Sequence, residues 1–448
     1  MTRTQTPNYM AEKKKTDWHL VYSVVIMLIL CALGNLSNIV ISAFVLVLAL
    51  PLILKPEYLL GLVLFTTVFD QYIIFSKGQS FSRFFVLFFL LGALIRFFPN
   101  LGKMKVDLRF GYFVVFFLMG LFLSFWGLEG RTSFPVTYLL NLILMAFMAY
   151  YTVEDSSTVM NQLWISAAIG SLYSLWILTR GGLDAFETGR ISYLDGGLNA
   201  NEAAMGLCVI TVILFSRFFT AKKTYAFFNA ILIGIAVVSL FLTGSRSSLL
   251  GVLAGVIVII LIWIKQSGHN LIKGIFACAV MATVFITIFF YMQEAFPVLM
   301  ERFTVENVKE YGGSGRMDVW QAYFTHYFPD YWAFGIGFDP ANIFYAVGKV
   351  SKEGHGSHNA LVDILSSSGI FGLAIYLSFL GQVFHRIAKK IKENKHLLLV
   401  AGLLVGLLVN GIGENIVRGR FFWFAVGLAF VLSNSCVPKK CPENVKNK

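Results

Sequence analysis

Three arginines and a histidine stand in sequence surroundings that suit chemistry on a phosphorylated substrate. Arg246 lies in Thr243-Gly244-Ser245-Arg246-Ser247-Ser248, a turn that opens a helix, where free backbone N–H groups and the helix dipole favour an anion. Arg316 lies in Gly312-Gly313-Ser314-Gly315-Arg316, where glycines let the backbone approach a ligand closely. Arg190 follows Thr188-Gly189. A guanidinium fork matches phosphate geometry and keeps its charge at any working pH, so three facing one cavity would clamp a diphosphate. Taken singly, each reads more simply as an anchor at the lipid headgroups.

The histidine is in Gly354-His355-Gly356-Ser357-His358-Asn359. Ser357 reads as an N-cap, which puts His358 at the first position of a membrane helix. The positive end of that helix disfavours imidazolium, so a neutral ring able to accept a proton from a sugar hydroxyl is expected. His355 competes for the same role from a glycine-flanked position, and an interfacial histidine without chemistry is the other alternative. Asp184, Glu187, Asp195 and Glu353 are scattered, with no Asp-x-Asp pair and no metal-ligand spacing. Neither a bound metal nor another cofactor is therefore expected.

What must position these groups is a set of membrane helices. Of 448 residues, 57% are hydrophobic and 13% charged, against roughly 25% charged in a soluble domain. Apolar runs long enough to cross about 30 Å of hydrocarbon recur along nearly the whole length. Fourteen candidate spans start near Trp18, Ile39, Tyr58, Phe84, Gly111, Phe134, Val159, Ala203, Tyr225, Leu249, Leu271, Ala360, Leu397 and Ile416. The expected fold class is an all-α polytopic membrane protein of about 12–14 transmembrane helices, residues 18–435, between cytoplasmic tails at 1–17 and 436–448. The net charge of +12 comes from short basic clusters between spans rather than from a stripe, which argues against nucleic acid as a partner. Most of the 36 lysines and arginines fall in loops on one side when the N-terminus is inside, so both termini are expected in the cytoplasm. The five cysteines form neither a disulfide framework nor a metal site.

Three segments then face outward: Arg180 to Leu198, the turn at Thr243–Ser248, and one long loop at about 293–357. The long loop is rich in aromatics, among them Trp320, Tyr323, Phe324, Trp332 and Phe334, and is expected to be partly helical. Ser314 can cap a helix running to Phe328, which Pro329 ends, with a turn at Gly335-Ile336-Gly337. The spans hold few ionisable groups, Asp70 near a helix end being the main one, which weighs against an ion-coupled transporter.

From Thr188 to the last span, a core of about 188–432, the order of these pieces resembles the O-antigen ligase and O-antigen polymerase family of bacterial membrane glycosyltransferases. The pieces are Gly189-Arg190 with Asn201-Glu202-Ala203, Thr243-Gly244-Ser245-Arg246, Ser314-Gly315-Arg316 with Trp320, Phe334-Gly335-Ile336-Gly337, and Ser357-His358-Asn359 with Leu361 and Gly369. The run Ser366-Ser367-Ser368 departs from the carboxylate expected there. The resemblance implies a C-type glycosyltransferase fold in the bacterial inner membrane, with the active site on its periplasmic face. It implies a donor glycan on undecaprenyl diphosphate and inverting, metal-independent transfer. Arg190, Arg246 and Arg316 would hold the diphosphate, His358 would deprotonate the acceptor hydroxyl, and Trp320 and Asn359 would contact substrate.

The leading expectation is polymerisation of repeat units of a surface or capsular polysaccharide, in the lipid bilayer and beside other polysaccharide-assembly membrane proteins. The alternatives are a ligase using a lipid A-core acceptor, an oligosaccharyltransferase acting on protein, and a non-enzymatic flippase of lipid-linked glycan. The topology is checked by fusions. Reporters placed after Lys223 and after Lys395 should stay cytoplasmic, while one near Glu306 should be exported. A cytoplasmic signal at Glu306 would invert the arrangement.

Overall fold

The computed structural model describes residues 17–34, 38–70, 72–76, 79–99, 110–125, 148, 156–180, 200–220, 225–267, 271–304, 306, 316–337 and 357–434. In chain order the apolar helices are α1 (Trp18–Leu33), α2 (Ile39–Ala49), α3 (Pro56–Val68), α4 (Phe81–Phe97), α5 (Phe110–Phe125), α6 (Ser156–Arg180), α7 (Ala200–Thr220) and α8 (Ala226–Leu242). After these come α9 (Arg246–Ser267) and α10 (Leu271–Ala295), then three short helices, α11 (Pro297–Glu301), α12 (Arg316–His326) and α13 (Phe328–Tyr331). The chain closes with α14 (Ala360–Lys390), α15 (Leu397–Asn410) and α16 (Arg420–Asn434). The protein is an all-α polytopic membrane protein, with one small hairpin, Ile74–Ser76 against Gln79–Ser80, that the sequence did not announce.

The span expected near Phe134 and both tails lie outside the described residues. Every other expected span coincides with an apolar helix starting within a few residues of the expected place. Among the described residues four helices are long and apolar enough to cross a bilayer alone, at 156–179, 200–219, 246–266 and 360–390. Most of the rest are shorter, and two of these are buried almost throughout. Every residue of α3 is buried, as is the whole of α16 from Phe421 to Ser433.

Two features of this packing position the site. The first is the contact of α9 with α15, where a Cβ on Gly251 would come 2.6 Å from the Gly406 carbonyl, and one on Gly255 2.7 Å from that of Gly402. Small residues at four-residue spacing let two membrane helices touch backbone to backbone. The contact carries through to the helix ends, where the Asn410 amide donates to Ser248 Oγ at 2.7 Å.

The second is a break in α14. Gly369 has φ 65° and ψ −169°, so the helix loses its internal bonding about nine residues, or roughly 13 Å, from its start. A freed N–H or C=O in hydrocarbon is tolerated only if protein satisfies it. Here the segment 332–337, which follows α13, supplies the partners. Ile336 N–H donates to the Ser366 carbonyl at 2.7 Å and Gly337 N–H to that of Ser367 at 3.2 Å. In return Ile370 N–H donates to the Trp332 carbonyl at 2.8 Å and Phe371 N–H to that of Ala333 at 3.3 Å. The serine run now has a structural reading: each hydroxyl bonds back one turn, to Asp363 or Ile364, while the Ser366 and Ser367 carbonyls receive the docked segment.

The loop helix differs from its expected form. It ends at His326 rather than Phe328, and Pro329 sits in the first turn of α13, where a missing N–H costs nothing.

A Cβ on Gly369 would overlap the Ala333 carbonyl, and its left-handed φ adds a cost of about 1–2 kcal/mol for any other residue. With the docked hydrogen bonds lost as well, Gly369→Ala should destabilise the detergent-solubilised protein by about 2–4 kcal/mol. Gly381→Ala on the same helix, where an added Cβ meets nothing within 4 Å, should be neutral in the same thermal melt. Equal melting of the two variants would mean the docking is not a source of stability.

Candidate functional site

One end of the bundle collects the start of α9, the loop helix α12, the start of α14 and the loop from Gly411 to Gly419 that joins α15 to α16. Backbone and side-chain hydrogen bonds knit the last two together. Ala360 N–H donates to the Gly411 carbonyl at 2.7 Å, and the Asn359 amide to that of Ile412 at 3.2 Å. Ser357 Oγ donates to Asn415 Oδ1 at 3.0 Å.

These bonds correct the expected capping. Asn359, not Ser357, caps α14: its Oδ1 accepts from Leu361 N at 2.9 Å and Val362 N at 3.1 Å. Asn is as good an N-cap as Ser, and the Ser357 hydroxyl is engaged by Asn415. His358 therefore stands just outside the helix, in a left-handed conformation with φ 45°. Non-glycine residues enter that region at a cost of about 1–2 kcal/mol, and such strain concentrates at functional sites.

His358 faces Glu414. Its Nδ1 lies 3.4 Å from one oxygen of that carboxylate, and the other oxygen lies 3.5 Å from Arg316 Nη2. Both contacts are at the long edge of hydrogen-bond range but well within ion-pair distance. Glu414 is 6% exposed, and a carboxylate so buried persists only among cations and donors. In a neutral ring, a carboxylate beside Nδ1 selects the Nδ1–H tautomer, which leaves Nε2 with its lone pair as an acceptor. Burial pulls the Arg316 guanidinium below its ordinary value, Glu414 pushes it back up, and the like charge of Arg246 pulls it down again.

Arg246 occupies the first position of α9, as its sequence context implied, and its Nη1 donates to the Arg302 carbonyl at 3.2 Å. Trp320 braces the site: its indole N–H donates to the Ser357 carbonyl at 2.7 Å, beside His358. Tyr323, fully buried one turn along, donates to the Leu365 carbonyl at 3.3 Å, and burial pushes its phenol well above the usual range. The Asn359 amide is likewise spent on the fold through both its oxygen and its nitrogen. Glu202 lies within electrostatic reach of Glu414 and also of Asp70 and Arg420, and Arg420 Nη1 donates to Asp70 Oδ1 at 2.8 Å and to Ser82 of α4.

The structure thus brings Arg246, Arg316, His358, Trp320 and Asn359 to one end of the bundle. Arg190, His355, Asp184, Glu187, Asp195 and Glu353 lie outside the described residues. Among the described residues no group of three side chains could hold a metal ion. Two charged members, Glu414 and Arg302, went unnoticed in the sequence. For Glu414 a signal existed: an acid in Gly411-Ile412-Gly413-Glu414-Asn415, a glycine-spaced break between two apolar spans. Arg302, in Met300-Glu301-Arg302-Phe303, has no such marking.

With the geometry in view, comparison with known proteins is informative. Residues 230–377 match the family model described as O-Antigen ligase, a stretch that runs from α8 to the middle of α14 and includes Arg246, Arg316 and His358. The teichuronic acid biosynthesis protein TuaE of Bacillus subtilis is 28% identical over 217 residues, which span 44% of this chain and 42% of that protein. The chain therefore matches less than half the length of this curated relative.

Proposed function

We propose that this chain, which carries an O-antigen ligase family region at residues 230–377, is a membrane glycosyltransferase that polymerises lipid-diphosphate-linked glycan units on the outer face of the membrane. The observation that carries this reading is the meeting of Arg246, Arg316, Glu414 and His358 at one end of the bundle, three of them inside the matched region. In the proposed reaction His358 Nε2 takes the proton of an acceptor sugar hydroxyl. That oxygen attacks the anomeric carbon of the donor, and the bond from that carbon to the diphosphate breaks with inversion. The lipid diphosphate leaves as an anion, and the guanidinium groups of Arg246 and Arg316, joined by Arg190, stabilise the charge that develops on it. Glu414 holds the His358 ring and offers a counter-charge to the imidazolium it becomes, while its second oxygen fixes Arg316. Trp320 and Asn359 position the His358 backbone.

The relative's name, which ties it to teichuronic acid biosynthesis, favours a polymer-building enzyme. The description of the family favours a second reading, transfer of a finished glycan to a lipid A-core or protein acceptor. Both share the donor chemistry. Undecaprenyl diphosphate is the proposed carrier in either case, and the bacterial cytoplasmic membrane the proposed location.

The roles separate by mutation. In nanodiscs His358→Ala should leave donor binding intact and lower turnover by roughly 10²–10⁴-fold, the usual worth of a positioned general base. Glu414→Gln should lower turnover with little change in donor binding. Arg246→Ala and Arg316→Ala should weaken both binding and turnover, and Lys should restore them only in part because an ammonium lacks the fork. Wild-type turnover in His358→Ala would remove the general base. A chelator supplies the further check. Arginine charge makes a metal unnecessary in this mechanism, so transfer should survive strong chelation. Loss that Mg²⁺ or Mn²⁺ restores would place a metal in the reaction.

A further inference from the structure

Arg302 lies in the turn that follows α11, and three observations set it apart from an ordinary loop arginine. Its stem crosses Gly244: a Cβ there would meet Arg302 Cδ at 3.3 Å and Nε at 3.5 Å, two residues before Arg246. Its backbone carbonyl receives the Arg246 Nη1 donor, so the two cationic side chains are anchored to one another's segments. Its Nε is buried and has no hydrogen-bond acceptor among the described residues.

Among the described residues the charges near it do not balance. Arg316 has Glu414 as its counter-ion, but neither Arg246 nor Arg302 has a carboxylate within ion-pair distance among the described residues. Burial pulls the Arg302 guanidinium below its ordinary value, and the like charge of Arg246 pulls it further in the same direction. Buried cations are retained in folded proteins when something pairs with them, and a charged donor left without an acceptor is costly. A multivalent anion shared between the two guanidinium groups would relieve both penalties at once.

We propose that Arg302 joins Arg246 as the principal diphosphate-binding pair, with Arg316, whose charge Glu414 already offsets, as a weaker contact. The inference rests on the functional reading above and deepens it, by adding Arg302 to the arginines that hold the leaving group and ranking Arg316, tied to Glu414 on the side where His358 acts, below the pair. The same chemistry could be met by a phospholipid headgroup, so the test must tell a diphosphate from a phosphodiester.

The experiment uses the full chain in nanodiscs of zwitterionic lipid, with inorganic pyrophosphate as the probe and binding read by calorimetry. Arg302→Ala should weaken pyrophosphate binding by about ten- to a hundred-fold, as Arg246→Ala does, and Arg316→Ala by less. Arg302→Lys should recover part of the affinity, which separates a lost charge from a misfolded turn, and monodisperse elution checks each variant. Wild-type affinity in Arg302→Ala alongside a loss in Arg246→Ala would overturn the pair while leaving the glycosyltransferase reading intact. Competition by phosphatidylglycerol as strong as that by undecaprenyl diphosphate would also overturn it, in favour of a headgroup anchor. Tight, Arg302-dependent pyrophosphate binding in a protein that transfers no glycan would sustain the pair and sink the enzymatic reading instead.

Discussion

A helix broken inside a membrane must find partners for its freed backbone groups, and the arrangement of this site depends on how α14 meets that demand at Gly369. Water is not there to help, so the partners come from the segment 332–337. Once that segment is docked, the helices that precede it have little freedom. Tyr323 reaches the Leu365 carbonyl just before the break, and Trp320, on the same short helix, reaches Ser357. Arg316 begins that helix, so it is delivered to the mouth of the bundle beside Glu414. A loop that is polar in sequence is thus held by main-chain bonds as a part of the membrane domain.

The glycine contact between α9 and α15 does the same from the other side. Backbone-to-backbone approach at Gly251, Gly255, Gly402 and Gly406 fixes the two helices lengthwise, and Asn410 to Ser248 closes the contact at the end. The start of α9, with Arg246, is thereby set against the loop that carries Glu414. The electrostatic consequence is uneven. Among the described residues a single buried carboxylate serves both Arg316 and His358, and Arg246 and Arg302 have none within ion-pair distance. A cluster with cations in excess is poised for an anion, whereas a cluster with balanced charges would only brace the fold.

Much of this was written in one dimension. Hydropathy is a local sum, so the spans were legible within a few residues, from α1 to α16, with the single gap at Phe134 falling outside the described chain. Arg246, Arg316 and His358 were legible because glycine and serine mark the turns and helix starts that present them. The capping of α14 was misread by two residues, since Ser357 and Asn359 are equally good caps locally and only the bond from Ser357 to Asn415, 58 residues away, decides between them. The serine run before Gly369 looked like a departure because its partners, at 332–337, are not its neighbours in sequence.

The sequence by itself determined that this is a multi-span membrane protein, where its helices lie, and which charged residues stand at turns and helix starts, because apolar length and turn chemistry act over a few residues. Only the tertiary structure decided that Glu414 sits between Arg316 and His358, that Arg302 stands next to Arg246, and that Trp320 and Asn359 hold backbone. Charge pairing acts through space, and the groups it joins here are separated by 56 residues in one case and 98 in another.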